Sequence, residues 1–232
     1  DIHPSGRLLG TVSHDQTWRL WDMETGTELL LQDGTFLMKS KAKCDFLWRS
    51  RALKRMFIIA FQPDGALVLT GDYAGTIHIW DLRSGQSVCA LQGHVKKVIN
   101  AHFSPNGWQV ATGSDDHMVS RSVFELEMRF VLTSNFKTGA NLGFTKEEDC
   151  YVLPAHSNVL SDVRYSSSGE LLLTSSFDGT LKVWTTRDYT LLKTLSGHTG
   201  KVMSCDISAD EKHIASAGFD RTIKLWAHKD EF

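Results

Sequence analysis

The stretch Asp220-Arg221-Thr222-Ile223-Lys224-Leu225-Trp226 repeats, in kind and in spacing, the stretch Asp178-Gly179-Thr180-Leu181-Lys182-Val183-Trp184, which lies 42 residues earlier. Each opens on an acidic turn residue, continues as a short run of aliphatic and β-branched residues alternating with polar ones, and closes on Trp. A period of two in such residues predicts a half-buried β-strand. Working outward, a turn tripeptide precedes the Trp at a fixed distance. Pro4-Ser5-Gly6, Pro63-Asp64-Gly65 and Ser167-Ser168-Gly169 end 15 residues before Trp21, Trp80 and Trp184. The final copy keeps the count with Glu211 in the Gly place, and Pro105-Asn106-Gly107 keeps it to Ser122, where Trp is absent. Gly supplies the positive φ that tight hairpins need, and Asp or Asn tolerates it.

A second ruler agrees. Gly93-His94, Ala155-His156 and Gly197-His198 each place a His 28 residues before positions 122, 184 and 226. Short strands between close turn signals predict an all-β chain without substantial helices, and four strands in a period of about 42 residues make one blade of a β-propeller.

These residues resemble the WD40 repeat family. Trp21-Asp22 and Trp80-Asp81 are its signature dipeptide, whereas Trp184-Thr185 and Trp226-Ala227 keep only the Trp. The family pattern also has a His, a hydroxyl on the second strand and an Asp in the turn before the Trp strand. It falls on His198, Ser216, Asp220 and Trp226, on His156, Thr174, Asp178 and Trp184, and, without its Trp, on His94, Thr112 and Asp116. Indole, hydroxyl, imidazole and carboxylate can then satisfy one another in a partly buried site. A His/Asp pair could also suggest a catalytic dyad or a metal site, but repetition at blade spacing favours a structural tetrad.

The resemblance implies about five blades of a ring that most often has seven, and a chain that begins inside a larger domain. The repeat divides into a partial first blade over 1–34 and blades over 52–93, 94–119, 151–197 and 198–232. Irregular insertions of about 35–51 and 120–150 separate them. The second insertion is expected to remove the Trp strand and the strand after it. The first insertion is basic: Thr35 to Phe57 holds seven Lys or Arg against one acid, a net +6, which leaves −8 for the rest of a chain whose net charge is −2. Both could be functional loops; the basic one, with Phe46, Trp48 and Phe57 among its cations, could be a localisation or nucleic-acid patch. The favoured reading is translated intron, because the flanks resume the repeat unadapted.

Composition excludes several classes. At 232 residues with 41% hydrophobic and 22% charged residues, the chain suits a globular protein with a proper core. Cys44, Cys89, Cys150 and Cys205 form no CxxC pair, so a reducing compartment fits better than a disulfide scaffold. No apolar run approaches the ~20 residues of a membrane helix. There is no Gly-rich phosphate loop, HExxH, Cys/His metal spacing or nucleophile elbow, so neither an enzyme, a metal nor a cofactor is expected.

A closer resemblance is carried by His3-Pro4-Ser5-Gly6-Arg7, Trp18-Arg19-Leu20-Trp21-Asp22, Phe103-Ser104-Pro105-Asn106-Gly107, Leu195-Ser196-Gly197-His198 and, above all, Pro154-Ala155-His156. Together they are similar to the WD-repeat proteins of the spliceosomal U4/U6 small nuclear ribonucleoprotein. That resemblance implies a nuclear, non-catalytic scaffold in pre-mRNA splicing. Its partners would be protein subunits of the particle, with RNA contacted indirectly and neither a membrane nor a small-molecule substrate involved. The alternative is an adaptor or substrate receptor of another complex, such as a ubiquitin ligase. In the family, the partner-binding rim is built from the residue before the turn Asp and from the start of each inner strand. Those positions are His14, Tyr73, Asp115, Phe177 and Phe219, with Lys97, Ile99, Ser161, Lys201 and Met203.

Overall fold

In the computed structural model, residues 1–32, 55–92, 94–116, 118–123 and 150–227 are described. They form eighteen β-strands and no helix, arranged as five consecutive antiparallel sheets. The first sheet holds β1 (Leu8–Val12), β2 (Trp18–Asp22) and β3 (Glu28–Gln32), with Ile2 bridged to Leu9 on its inner side. The second is β4 (Met56–Phe61), β5 (Leu67–Asp72), β6 (Thr76–Asp81) and β7 (Gln86–Gln92). The third is β8 (Val98–Phe103), β9 (Gln109–Ser114), β10 (Met118–Val123) and β11 (Cys150–Pro154). The fourth is β12 (Leu160–Tyr165), β13 (Leu171–Ser176), β14 (Thr180–Thr185) and β15 (Leu191–Ser196), and the fifth is β16 (Val202–Ile207), β17 (His213–Gly218) and β18 (Ile223–Ala227). This is the propeller arrangement, with the strands of each sheet in sequence order from the inside out.

One expectation needs correction. The third blade does not end at residue 119. Strand β10 runs on through Ser122 to Val123, and β11 pairs with it in continuous register from Met118 opposite Pro154 to Ser122 opposite Cys150. Both the strand without its Trp and the strand after it are therefore present. The interruption is narrower, between Val123 and Cys150, and lies outside the described residues, as do 33–54. The strand survives because ladder hydrogen bonds come from the backbone, and Val119 is still buried on the core side.

Among the described residues the core lies between blades. Trp18 and Leu20 of the first pack on Met56, Phe61, Val68 and Trp80 of the second. Leu69, Ile77 and Ile79 pack on Val98, Phe103 and Val110. Ala111, Val119 and Leu153 pack on Leu160, Val163, Leu172 and Trp184. Leu173, Leu181 and Val183 pack on Val202 and Cys205. Each such aliphatic side chain contributes roughly 1.5–3 kcal/mol on burial, so every blade depends on its neighbour.

Polar side chains fasten the inner strands as well. Buried Asp162 on β12 accepts from Asn100 Nδ2 of β8, from Ser204 Oγ of β16 at 2.7 Å, and from the amides of Val163 (2.9 Å) and Cys205 (3.2 Å). One carboxylate thus joins three blades. Burial raises its pKa against the opposing pull of Arg164.

Candidate functional site

The inner hairpin of each complete blade, and of the last, carries the same irregularity. The register between the first and second strands slips by one residue at Met56/Ile58, Val98/Asn100, Leu160/Asp162 and Val202/Ser204. A bulge leaves one residue unpaired and re-aims its side chain. The unpaired residues are Phe57, Ile99, Ser161 and Met203. The second rim position is fixed just as regularly. The residue after the second strand donates its amide to the residue that opens the inner strand: Tyr73 to Arg55 (3.0 Å), Asp115 to Lys97 (3.1 Å), Phe177 to Val159 (2.9 Å) and Phe219 to Lys201 (2.7 Å). Two side chains per blade are thereby delivered to one edge of the sheet.

The sequence-predicted rim residues fall into two groups. In the first, His14 meets Phe57 edge-on at 5.0 Å between centroids, and Tyr73 lies 5.8 Å from the same ring. Lys97 Nζ sits 6.0 Å above Phe57 and 3.8 Å from the Asp115 carboxylate. In the second, Lys201 Nζ lies 4.7 Å over Phe177, with Phe219 at 73% and Met203 at 46% exposure beside it. Ser161, between the two, is tied to Ser175 Oγ at 2.9 Å. The centre of the first group, Phe57, and its neighbour Arg55 were not among the sequence-predicted rim residues. Counting back 42 residues from Ile99 and Lys97 reaches both, but the repeat is interrupted just before them.

Beneath the rim stand the tetrads. In the fourth blade Trp184 Nε1 donates to Thr174 Oγ1 at 3.0 Å, Thr174 Oγ1 lies 2.9 Å from His156 Nε2, and His156 Nδ1 lies 2.9 Å from Asp178. The fifth repeats it through Trp226, Ser216, His198 and Asp220, at 2.9, 2.8 and 3.0 Å. The third has His94 at 2.9 Å from both Thr112 and Asp116. An ionised carboxylate only accepts, so Nδ1 carries the proton, Nε2 accepts from the hydroxyl, and the hydroxyl accepts the indole. Neutral imidazole fits this order: burial lowers the His156 pKa, opposed by Asp178. For Asp178 burial acts upward, but bonds from Thr180 and His156 outweigh it and hold the carboxylate below its usual range. Asp116 is lowered likewise, and Asp220 is lowered chiefly by the Thr222 hydroxyl. Each His is buried, with its Nδ1 and Nε2 both engaged, so the constellations hold turns rather than face a substrate.

The second blade departs from the pattern in two places together. Its His position counts to Ala52, outside the described residues, and its turn Asp position is Ala74. Trp80 still donates to Thr70 Oγ1 at 2.9 Å. Buried Asp72 takes over the turn, accepting the amides of Ala74 (2.8 Å) and Thr76 (2.9 Å). Among the described residues no group of three or more His, Cys, Asp or Glu is placed to hold a metal ion. No helix of the described residues is long and apolar enough to cross a membrane.

Five blades, a repeated tetrad and a rim of presented side chains define a partial β-propeller of the kind that displays a binding edge. The family model described as WD domain, G-beta repeat matches residues 1–22, 57–81, 85–120, 147–185 and 189–227, more than half of the chain, and the chain belongs to the WD40 repeat family. Such domains mediate protein–protein interactions. Relatives include apoptotic protease-activating factor 1 of Danio rerio, 26% identical over 92% of this chain and 17% of that protein. The target of rapamycin complex subunit LST8 of Mus musculus is 24% identical over 84% of this chain and 51% of its own length. Pre-mRNA-processing factor 19 homolog 2 of Arabidopsis thaliana is 26% identical over 92% of this chain and 34% of its own. The chain thus spans about half or less of these relatives, and the three names belong to different processes.

Proposed function

We propose that this chain is a non-catalytic protein-binding scaffold of the U4/U6 small nuclear ribonucleoprotein, acting in pre-mRNA splicing in the nucleus. Its two rim groups bind protein subunits, and RNA is contacted only through them. The observation that carries the binding role is the bulge-and-turn device, which holds aromatic rings and cations exposed on one edge. Phe219, Tyr73 and Met203 remain open to solvent there. Aromatic residues and cations of this kind anchor protein interfaces. The particle assignment rests on the Pro154-Ala155-His156 stretch and its companions, and a relative named as a pre-mRNA-processing factor agrees with splicing. No U4/U6 protein appears among the relatives named above. The LST8 likeness supports an alternative in the same class, an adaptor of another complex.

The test is to tag the protein in its cells, purify it gently and sequence the RNA that accompanies it. U4 and U6 RNA are expected, and ligase subunits or no RNA at all would overturn the splicing assignment. In the same preparation Phe177→Ala with Phe219→Ala should release the protein partners while the thermal unfolding profile holds. Partners retained by that double variant would refute the rim.

A further inference from the structure

At the edge opposite the rim, the hairpins joining the first and second strands touch from blade to blade. His3 Nε2 lies 3.0 Å from the Gly65 carbonyl, and Gln62 Nε2 donates to the Gly107 carbonyl at 3.0 Å. Pro105 rests against Gly169. The contact between the fourth and fifth blades is of another kind. Glu211 stands in the left-handed turn position that Gly6, Gly65, Gly107 and Gly169 occupy elsewhere, at φ +60°. A residue with a Cβ is strained there. Its carboxylate reaches across to the Ser167-Ser168 turn: Oε1 accepts from the Ser168 amide at 2.6 Å and from Ser167 Oγ at 3.0 Å, and Oε2 from Ser168 Oγ at 3.1 Å. Ser167 Oγ also lies 2.7 Å from the Ala209 carbonyl of the same neighbouring hairpin. Among the described hairpins this clamp alone runs through hydroxyls, and both serines are exposed.

We propose that Ser167 is a phosphorylation site whose modification opens this clamp and loosens the last blade. Ser167 Oγ attacks the γ-phosphorus of ATP held by a serine/threonine kinase. The bond from that phosphorus to the β–γ bridging oxygen breaks, ADP leaves, and the hydroxyl proton passes to the base of the kinase. Glu170, three residues on, suits an acid-directed kinase. The product carries close to two negative charges and has lost its only donor. Both neighbours of the hydroxyl, the Ala209 carbonyl and the Glu211 carboxylate, are acceptors that share its single proton, so the phosphate faces two acceptors with no proton left to offer either. The β16–β18 sheet keeps its apolar layer and its bond to Asp162, so it opens locally rather than unfolding the chain. This inference is independent of which partners the rim binds.

The test uses the full chain with phosphoserine encoded at position 167, followed by amide hydrogen exchange. Exchange in β16–β18 should rise about tenfold, the size of one lost hydrogen bond to a charged group, while β4–β7 serves as the unchanged internal standard. In Glu211→Gln the phosphate should have a smaller effect, because one source of repulsion is gone. With an acid-directed kinase and labelled ATP, the wild type should take up more label than Ser167→Ala. Unaltered exchange in the phosphoserine chain, or label retained in full by Ser167→Ala, overturns the proposal.

Discussion

Replacing Thr174 by Val keeps the shape of the side chain and deletes only its hydroxyl. In the folded protein that hydroxyl is the partner of the Trp184 indole at 3.0 Å and of His156 Nε2 at 2.9 Å, and Thr174 is fully buried. The variant therefore strands one buried donor and one buried acceptor. At about 1–3 kcal/mol for each unsatisfied group, the loss should be about 2–6 kcal/mol. Thr70 provides an internal comparison. It is equally buried and accepts from Trp80 at 2.9 Å, but its blade has Ala at the turn position and no His within the pattern. Thr70→Val should cost about 1–3 kcal/mol, from one stranded donor. Urea denaturation of the two variants and the wild type, followed by Trp fluorescence, measures the difference. The Trp184 indole proton in a nitrogen-correlated NMR spectrum should move upfield in Thr174→Val alone. Equal destabilisation by the two substitutions would refute the claim that the tetrad is a chain of mutual satisfaction.

Two other outcomes test the packing and the buried imidazole. Leu181→Ala should cost about 2–5 kcal/mol, because Leu181 is fully enclosed between blades, whereas Ile223→Ala at the matching place on β18, 82% exposed, should stay within about 0.5 kcal/mol in the same denaturation assay. His102 is held neutral, its pKa lowered to about 4 by burial and then by Arg164, against the upward pull of Asp206. The unfolded chain binds that proton from about pH 6.5 downward, so stability is full above that pH and declines as pH falls toward 4, by about 3 kcal/mol for this group. His102→Gln should flatten the profile in that window, and an unchanged slope from pH 6.5 to 4 would exclude His102 as its source.

Much of this architecture was legible because its signals are local. Turn tripeptides, the His at 28 residues and the Trp at 15 mark strand ends within one blade, so two tetrads, a third without its Trp, and paired rim positions in the last three blades can be placed by counting. What escaped was whatever depended on a neighbour or on the backbone alone. Strand β10 carries Ser122 in the place of the Trp and so lacks the mark that identifies its fellows, although ladder pairing needs none. Phe57 bears no such mark, because the repeat is interrupted just before its strand and Ala52 stands where its blade would open on His. The junction at Asp162 joins residues 62 and 42 positions away, and no single-blade pattern shows it. Glu211 registered only as a missing Gly, and the backbone strain it bears has its compensation in a different hairpin.

The unbroken ladder between β10 and β11 has a consequence for how this blade tolerates change. Its five paired positions are set by the two strands, whatever chain connects Val123 to Cys150. Closing a longer connection costs entropy that grows only with the logarithm of its length, about 0.6 kcal/mol for each doubling. The outer edge of the third blade is thus a natural splice point, where segments can be exchanged, shortened or replaced by a whole inserted domain while the sheet beneath keeps its register.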